Sequence, residues 1–467
     1  MTQARFLTLT LSALALSACA AGPDYVAPLP PAASSGPFLT HSPAVSTAPI
    51  AADWWKLYND PVLDGLVQDA LAANTDIRVA VAHLEKARAA LSGAKADRLP
   101  RTEIGAGATY GRLPVDQRAP DAPREDWSID TGLAISYEAD LFGRVRRGVE
   151  AARGDAAAAQ ADADAVRIAV IADTTRAYAD ATSGAARLLV AHHIVGLLDQ
   201  LVDLTTQRHA AGLVPQIDVA RVRTLRNQRA ADIPAIAAQR QAALFRLATL
   251  TGRAPADLPE LSTQRSTSLE IMQPIPVGDG AALLARRPDI RAAERRLAAD
   301  TARIGVATAD LYPRISLGAS IGSTGPNIGD IFGAGPLRWL LGPLISWSFP
   351  NQSAARARIA GARADSQAAL ATFDGTVLNA LQETETALSG YARALERRQV
   401  LQTARDSAAQ AATIARASQR EGAIDGLQLL DSERTFSETQ AALAEQDAMV
   451  SAAQIDLFRA LGGGWSS

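Results

Sequence analysis

The sequence predicts a mainly α-helical protein that also carries part of a membrane β-barrel, and that is written twice along the chain. Three observations predict this. Aromatic residues make up only 5% of the chain, and long Ala-rich runs are filled in with Arg, Gln, Asp and Glu, a composition suited to long helices in close contact. Four other stretches alternate apolar and polar residues, the period of strands with one apolar and one wet face. Motifs of the first half also return in the same order about 210 residues later. A chain of 467 residues has room for about three average domains or one elongated one, and this composition favours the elongated form. The formal net charge is -3 with acids and bases interleaved, so no nucleic-acid footprint is present.

Residues 1–18 read as a lipoprotein signal peptide. After Arg5 runs the apolar stretch "FLTLTLSALALSA", too short to span a bilayer but suited to a secretory leader. Leu16, Ser17, Ala18 and Cys19 resemble the bacterial lipobox, and Cys19 is the only cysteine in the chain. The lipobox reading implies cleavage before Cys19, a diacylglycerol on its thiol and an N-acyl chain on its amine. Two or more chains anchor stably where one does not. The competing reading is an ordinary leader with a cysteine near its cut site. Ala20, in place of Asp, implies sorting to the outer membrane. No later segment reaches 18 uninterrupted apolar residues, so further membrane contact is assigned to strands.

Residues 19–50 form a Pro- and Ala-rich acylated linker. The first repeat, 51–260, opens with helices broken at Asp60-Pro61 and at Asn74, which is placed as an N-cap. Strands come next at about 101–111 and 127–140; in the second, Ile129, Thr131, Leu133, Ile135 and Tyr137 share one face. Long helices are expected at about 144–211 and 216–250, the first roughly 100 Å long. Residues 261–280 are Pro-rich and read as a connection. The second repeat, 281–464, has strands at about 313–323 and 337–349 and long helices at about 353–420 and 426–461. Stripes such as Ile194, Leu197, Leu201 and Leu204 mark each helix pair as an antiparallel coiled coil.

Four strands are too few to close a barrel, which needs about eight before its interior can be filled. An open edge in lipid would leave backbone groups unpaired. The barrel must therefore be shared between copies, and the strand count alone does not choose between two, three and four protomers.

The motifs "CAAGPDY", "DWWKLYNDPVLDGLV", "YEADLFGRVR", "RRPDIRAAERRLAADTARIGVATADLYPRISL", "GLQLLDSER" and "LFRALGGGW" together resemble the TolC-type outer membrane factors, in their lipoprotein (NodT/OprM-like) branch, over essentially the whole length. The resemblance implies a homotrimer with a twelve-stranded barrel and an α-helical tunnel. It implies an outer-membrane exit duct that works with a periplasmic adaptor and an inner-membrane RND-type pump to expel small toxic molecules. Two alternatives are the outer channel of a type I protein secretion system and a non-pore periplasmic lipoprotein, the latter leaving four alternating strands unexplained. No Walker loop, dinucleotide fingerprint or nucleophile elbow points to an enzyme. His192 and His193 are adjacent, not at the i, i+4 spacing of a metal pair, so the acyl group on Cys19 is the only expected non-protein component.

The turns "AAGLVPQIDV" and "REGAIDGLQLLDSER" carry a glycine where each helix stops. Leu427 and Asp431, four apart, share a helical face, and under rotational symmetry they would stack a leucine ring beside a carboxylate ring. The resemblance places a gate constriction at these two positions. The other reading pairs a solvated Asp431 with Arg434 at i+3, worth about 0.2 to 0.5 kcal/mol. The resemblance further implies a lock in which Asp218 and Arg434 hold the tip shut, with Gln419 where an aromatic residue often completes it. Asp218 otherwise reads as a first-turn residue favouring the helix dipole, and Asp425 as a turn former. The "RRPDIR" segment reads as a helix start at Pro288 and Asp289, with no chemistry assigned.

Overall fold

The computed structural model describes residues 20–29, 32–40, 42–112, 114, 116, 123–329 and 337–463. The signal peptide and Cys19 lie outside the described residues, as do Gly464 and Trp465 of the last motif. In chain order come α1 (Pro61–Ala73), α2 (Thr75–Ala96), β1 (Arg101–Arg112), β2 (Glu125–Ala139), α3 (Arg144–Ala210) and α4 (Gln216–Leu250). The second half holds α5 (Gly280–Arg286), α6 (Pro288–Ala309), β3 (Arg314–Gly325), β4 (Leu337–Ser346), α7 (Ser353–Arg420) and α8 (Gly426–Ala460). The helices start where their caps dictate. Asp60 accepts the backbone N–H groups of Val62 and Leu63, and Asn74 those of Asp76 and Ile77. Helix α3 holds an 18-residue window of mean hydropathy 1.3, of which 17% is buried. Alanine-rich packing helices meet this measure of a span, and interspersed polar residues kept it from being an uninterrupted run.

The chain divides into two compact units. The first comprises Met1–Leu29, His83–Gln160 and Ala292–Asp374. Its centre is a four-stranded antiparallel sheet in the order β1-β2-β3-β4, so the two repeats meet where β2 pairs with β3, Ile129 opposite Gly325 through Ala139 opposite Ile315. Among the described residues neither β1 nor β4 has a second neighbour in the sheet. One face carries Ile104, Tyr110, Trp127, Leu133, Ile321, Trp339 and Leu341; the other carries Gly, Ser and charged residues, with Leu340 and Leu344 as exceptions. Strand β4 stops at Ser346, short of the expected 349, because the chain leaves the ladder there: the Trp347 indole N–H and the Gln352 side-chain amide both donate to the Leu311 carbonyl, at 3.1 and 3.2 Å.

The segment that follows Cys19 is not a free linker. In the first unit the Ala21 N–H donates to the Phe142 carbonyl, the Tyr25 hydroxyl donates to Glu294 at 2.7 Å, and Asp24 pairs with Arg147 at 2.6 Å. A Cβ on Gly22 would stand 2.5 Å from the Gly305 Cα, so this crossing with α6 requires the bare backbone of glycine.

The second unit comprises Pro30–Ala82, Ala161–Arg291 and Gly375–Ser467. Its core gathers Trp54, Leu63, Tyr178, Leu247, Leu269, Ile275, Leu388, Ile455 and Leu457, with Trp54 stacked on Phe458 at 4.5 Å. The Pro-rich connection proves to be built into this core. Leu269, Ile271 and Ile275 are buried, Ile275 and Pro276 pair in parallel with Val45 and Ser46, and the Gln454 side chain bonds both the N–H and the carbonyl of Ile271. Alternate apolar residues and a side-chain amide standing in for a strand partner hold a proline-containing segment that cannot form a full ladder. Arg287 of the "RRPDIR" segment, one-tenth exposed, donates to the Ala460 carbonyl and to Asp289 and Glu383, tying the end of α8 to the start of α6.

Candidate functional site at the helix hairpin tips

All the predicted gate residues lie in the second unit, where α3 turns into α4 and α7 into α8. Both turns use one bonding scheme. After α3, the N–H groups of Ala211, Gly212 and Leu213 donate to the carbonyls of Gln207, His209 and Arg208. After α7, Glu421, Gly422 and Ala423 donate to Ala417, Gln419 and Ser418, the same offsets 210 residues on. Gly212 and Gly422 sit at φ of 73° and 74°, which closes the last turn of each helix in the left-handed conformation. Beyond these glycines the two turns diverge. Pro215 precedes α4 without a side-chain cap, whereas the Asp425 carboxylate accepts the Gln428 N–H at 2.8 Å, so Asp425 is the N-cap of α8.

Leu427 and Asp431 share one face of α8, and both line a groove of about 420 Å³ between α4 and α8, opposite Ile217, Arg221, Thr224 and Gln228. Leu427 is half exposed. Asp431 accepts a hydrogen bond from Arg434 at 2.7 Å, with both side chains more than half exposed. Asp218 faces Arg221 at 3.6 Å, and its own N–H donates to the Pro215 carbonyl in the first turn of α4. Among the described residues no ion pair joins Asp218 to Arg434 within the protomer: each aspartate takes the arginine one helical turn away, which needs no inter-helix reach. Within one chain Asp218 and Arg434 thus each belong to a separate local pair. Gln419 is buried and, with Asp218 and Leu427, lines a smaller cavity beside the groove.

Three features were not foreseen from the sequence. His209, the counterpart of Gln419 in the first turn, bonds the Val214 carbonyl through Nδ1 at 2.9 Å and so fastens that turn. Glu433 is nearly buried and takes a bidentate grip from Arg416 across the second hairpin, at 2.5 and 2.8 Å. Arg229 on α4 bonds Glu438 on α8 at 2.8 Å, an ion pair between the two hairpins. The first was visible only by aligning the repeats. The other two pair residues that no local spacing connects.

The model of the outer membrane efflux protein family matches residues 66–253 and 281–463. The outer membrane protein OprJ of Pseudomonas aeruginosa is 32% identical over 97% of this chain and 95% of its own length. The solvent efflux pump outer membrane protein SrpC of Pseudomonas putida is 31% identical over 99% of both chains. The solved structure of the outer-membrane channel OprN superposes with a TM-score of 0.88 at 35% identity, covering 96% of this chain and all of that one. With both repeats matched by the family model and a channel structure reproduced over nearly the whole length, the chain belongs to the outer membrane efflux protein family.

Proposed function

We propose that three copies of this chain close a twelve-stranded barrel in the outer membrane and form a passive exit duct for small toxic compounds. An inner-membrane RND-type pump and a periplasmic adaptor deliver the cargo. The observation that carries this reading is the sheet of unit one, four strands with both edges unpaired and with bulky apolar side chains exposed along one face. Such a sheet is stable in lipid only when copies pair edge to edge. Acyl chains on Cys19 anchor the mature chain, and the hairpin tips, with Leu427 and Asp431 on the groove, form the gate. Antibiotics and solvents, named for relatives such as ArpC of Pseudomonas putida and SrpC, set the class of cargo to test first. The experiment is expression of the chain with its pump and adaptor in a cell lacking outer-membrane efflux ducts. Restored resistance to such compounds, lost when edge-strand backbone pairing is broken by Leu341→Pro, supports the reading. A cell that stays sensitive while the protein inserts in the membrane refutes it.

A further inference from the structure

The wet face of the sheet in unit one mixes glycines and serines with charged side chains. Gly105, Gly107, Gly132, Gly318, Gly322 and Gly342 fall on it, with serines between them. Among its charged residues, which include Arg101, Glu103, Asp126 and Glu138, one carboxylate is bonded from two other strands. Asp130 on β2 lies opposite Thr324 on β3, whose hydroxyl donates to its carboxylate at 2.7 Å. Arg338 on β4 lies opposite Gly322 on β3, and its guanidinium crosses that strand to bond the same carboxylate. The guanidinium passes over Gly322, where β2 and β3 approach closely. A Cβ there would stand 2.6 Å from the Thr131 carbonyl oxygen, so the close approach of β2 requires glycine, and the Arg338 Nε would lie in ordinary contact with it at 3.5 Å. Both charged side chains remain about half exposed, Arg338 at 59% and Asp130 at 47%, so neither is consumed by burial.

We infer that Asp130 and Arg338 form a charge pair on the lumenal wall of the barrel in which each charge cancels the other's effect on passing ions, separately from the hairpin tips. The inference rests on the trimeric-barrel reading, which makes the wet face the lumen and repeats the pair three times around it. Apolar side chains face lipid and polar ones the channel in a membrane barrel. Rings of charge in such a lumen act on passing ions directly. In water-like dielectric, a unit charge about 10 Å from an ion changes its local concentration about twofold. The paired state is nearly neutral to passing ions; removing either partner leaves three copies of the other.

The test has two arms. In planar bilayers under a KCl gradient, in a background with Leu427→Ala and Asp431→Ala to relieve the tips, Arg338→Gln should raise the potassium-to-chloride permeability ratio about twofold or more. Asp130→Asn should lower it by a similar factor, and the double variant should return near the background. Coincident reversal potentials for all four proteins overturn the inference. The second arm separates this from failure of the barrel reading. Arg338→Cys, in a chain whose only other cysteine is Cys19, is exposed on whole cells to a cationic and an anionic membrane-impermeant thiol reagent. A lumenal position reacts, and the cationic reagent gains less advantage once Asp130→Asn is added. A thiol inert to both reagents shows that the wall faces lipid, and the barrel reading fails with it.

Discussion

If the hairpin tips gate the duct as proposed, breaking the pair between Arg229 and Glu438 should favour opening by an amount set by this contact. The contact is 2.8 Å, Arg229 is 22% exposed and Glu438 53%, so the pair sits at the more enclosed end of the range for surface ion pairs. Such pairs contribute about 0.2 to 1 kcal/mol net, and the upper value fits an arginine whose Nε is buried without a partner. If opening separates α4 from α8, about 1 kcal/mol corresponds to roughly a fivefold change in the open-to-closed ratio for each protomer. Arg229→Ala and Glu438→Ala should each raise the single-channel open-to-closed ratio by up to about fivefold for each protomer. In the double variant the two effects should not add, because they delete one interaction. Raising the salt from about 0.15 M to about 1 M shortens the screening length from about 8 Å to about 3 Å and should narrow the gap between the parent and either variant. Additive effects, or an open probability unchanged in both single variants, would show that opening leaves this contact intact.

Three further outcomes rest on neighbouring contacts. Arg287→Ala strips the buried Ala460 carbonyl of its donor and leaves Asp289 and Glu383 to solvent, and should cost about 1 to 3 kcal/mol, read as a lowered midpoint in thermal denaturation; a midpoint within error of the parent contradicts the clamp. Burial raises the Asp447 carboxyl above its ordinary range, against the lowering effect of Arg398, so the native state holds that proton more tightly than the unfolded chain. Stability from this group is therefore present at low pH and is lost as pH rises through the window between the unfolded and folded values; Asp447→Asn should flatten that part of the stability profile, and an unaltered slope would assign it elsewhere. Cys19→Ser should abolish metabolic labelling with a fatty-acid probe; label retained in the variant would place the acyl group elsewhere and refute acylation of Cys19, and a parent chain that takes no label would leave an ordinary cleaved leader.

Local chemistry was the legible part of the sequence. The change of period from 3.6 to 2 located the strands, and the glycines at 212, 252, 422 and 462, all at positive φ, marked the ends of α3, α4, α7 and α8. Asn74 and Asp60 announced their helices through capping. What stayed hidden depends on neighbours far away in sequence. Proline and small residues made 19–50 and 261–280 look like linkers, yet their ordering comes from partners such as Arg147, Glu294 and Gln454 that no window on those segments contains. At the tip the competition was between near and far partners. Asp218 and Asp431 each had an arginine three residues on, and those local pairs formed in preference to one between hairpins.

The duplication also changes what the gate should do to ions. At the 210-residue offset fixed by Gly212 and Gly422, Leu427 corresponds to Ile217 and Asp431 to Arg221, and all four line one groove. The apolar position is kept and the charge is reversed. With Asp218 and Arg434, each protomer therefore places two acids and two bases at this level, not a bare carboxylate. A ring of like charges would resist closing, and this alternation removes most of that resistance. Asp431→Ala leaves Arg434 without its 2.7 Å partner and shifts the local balance by one positive charge per protomer. The variant should then prefer anions in a reversal-potential measurement, not merely lose preference for cations. Arg221→Ala should shift the potential the opposite way. If Asp431→Ala still favours cations, Arg221 and Arg434 are too far from the ion path to balance it, and the gate behaves as an isolated carboxylate ring after all.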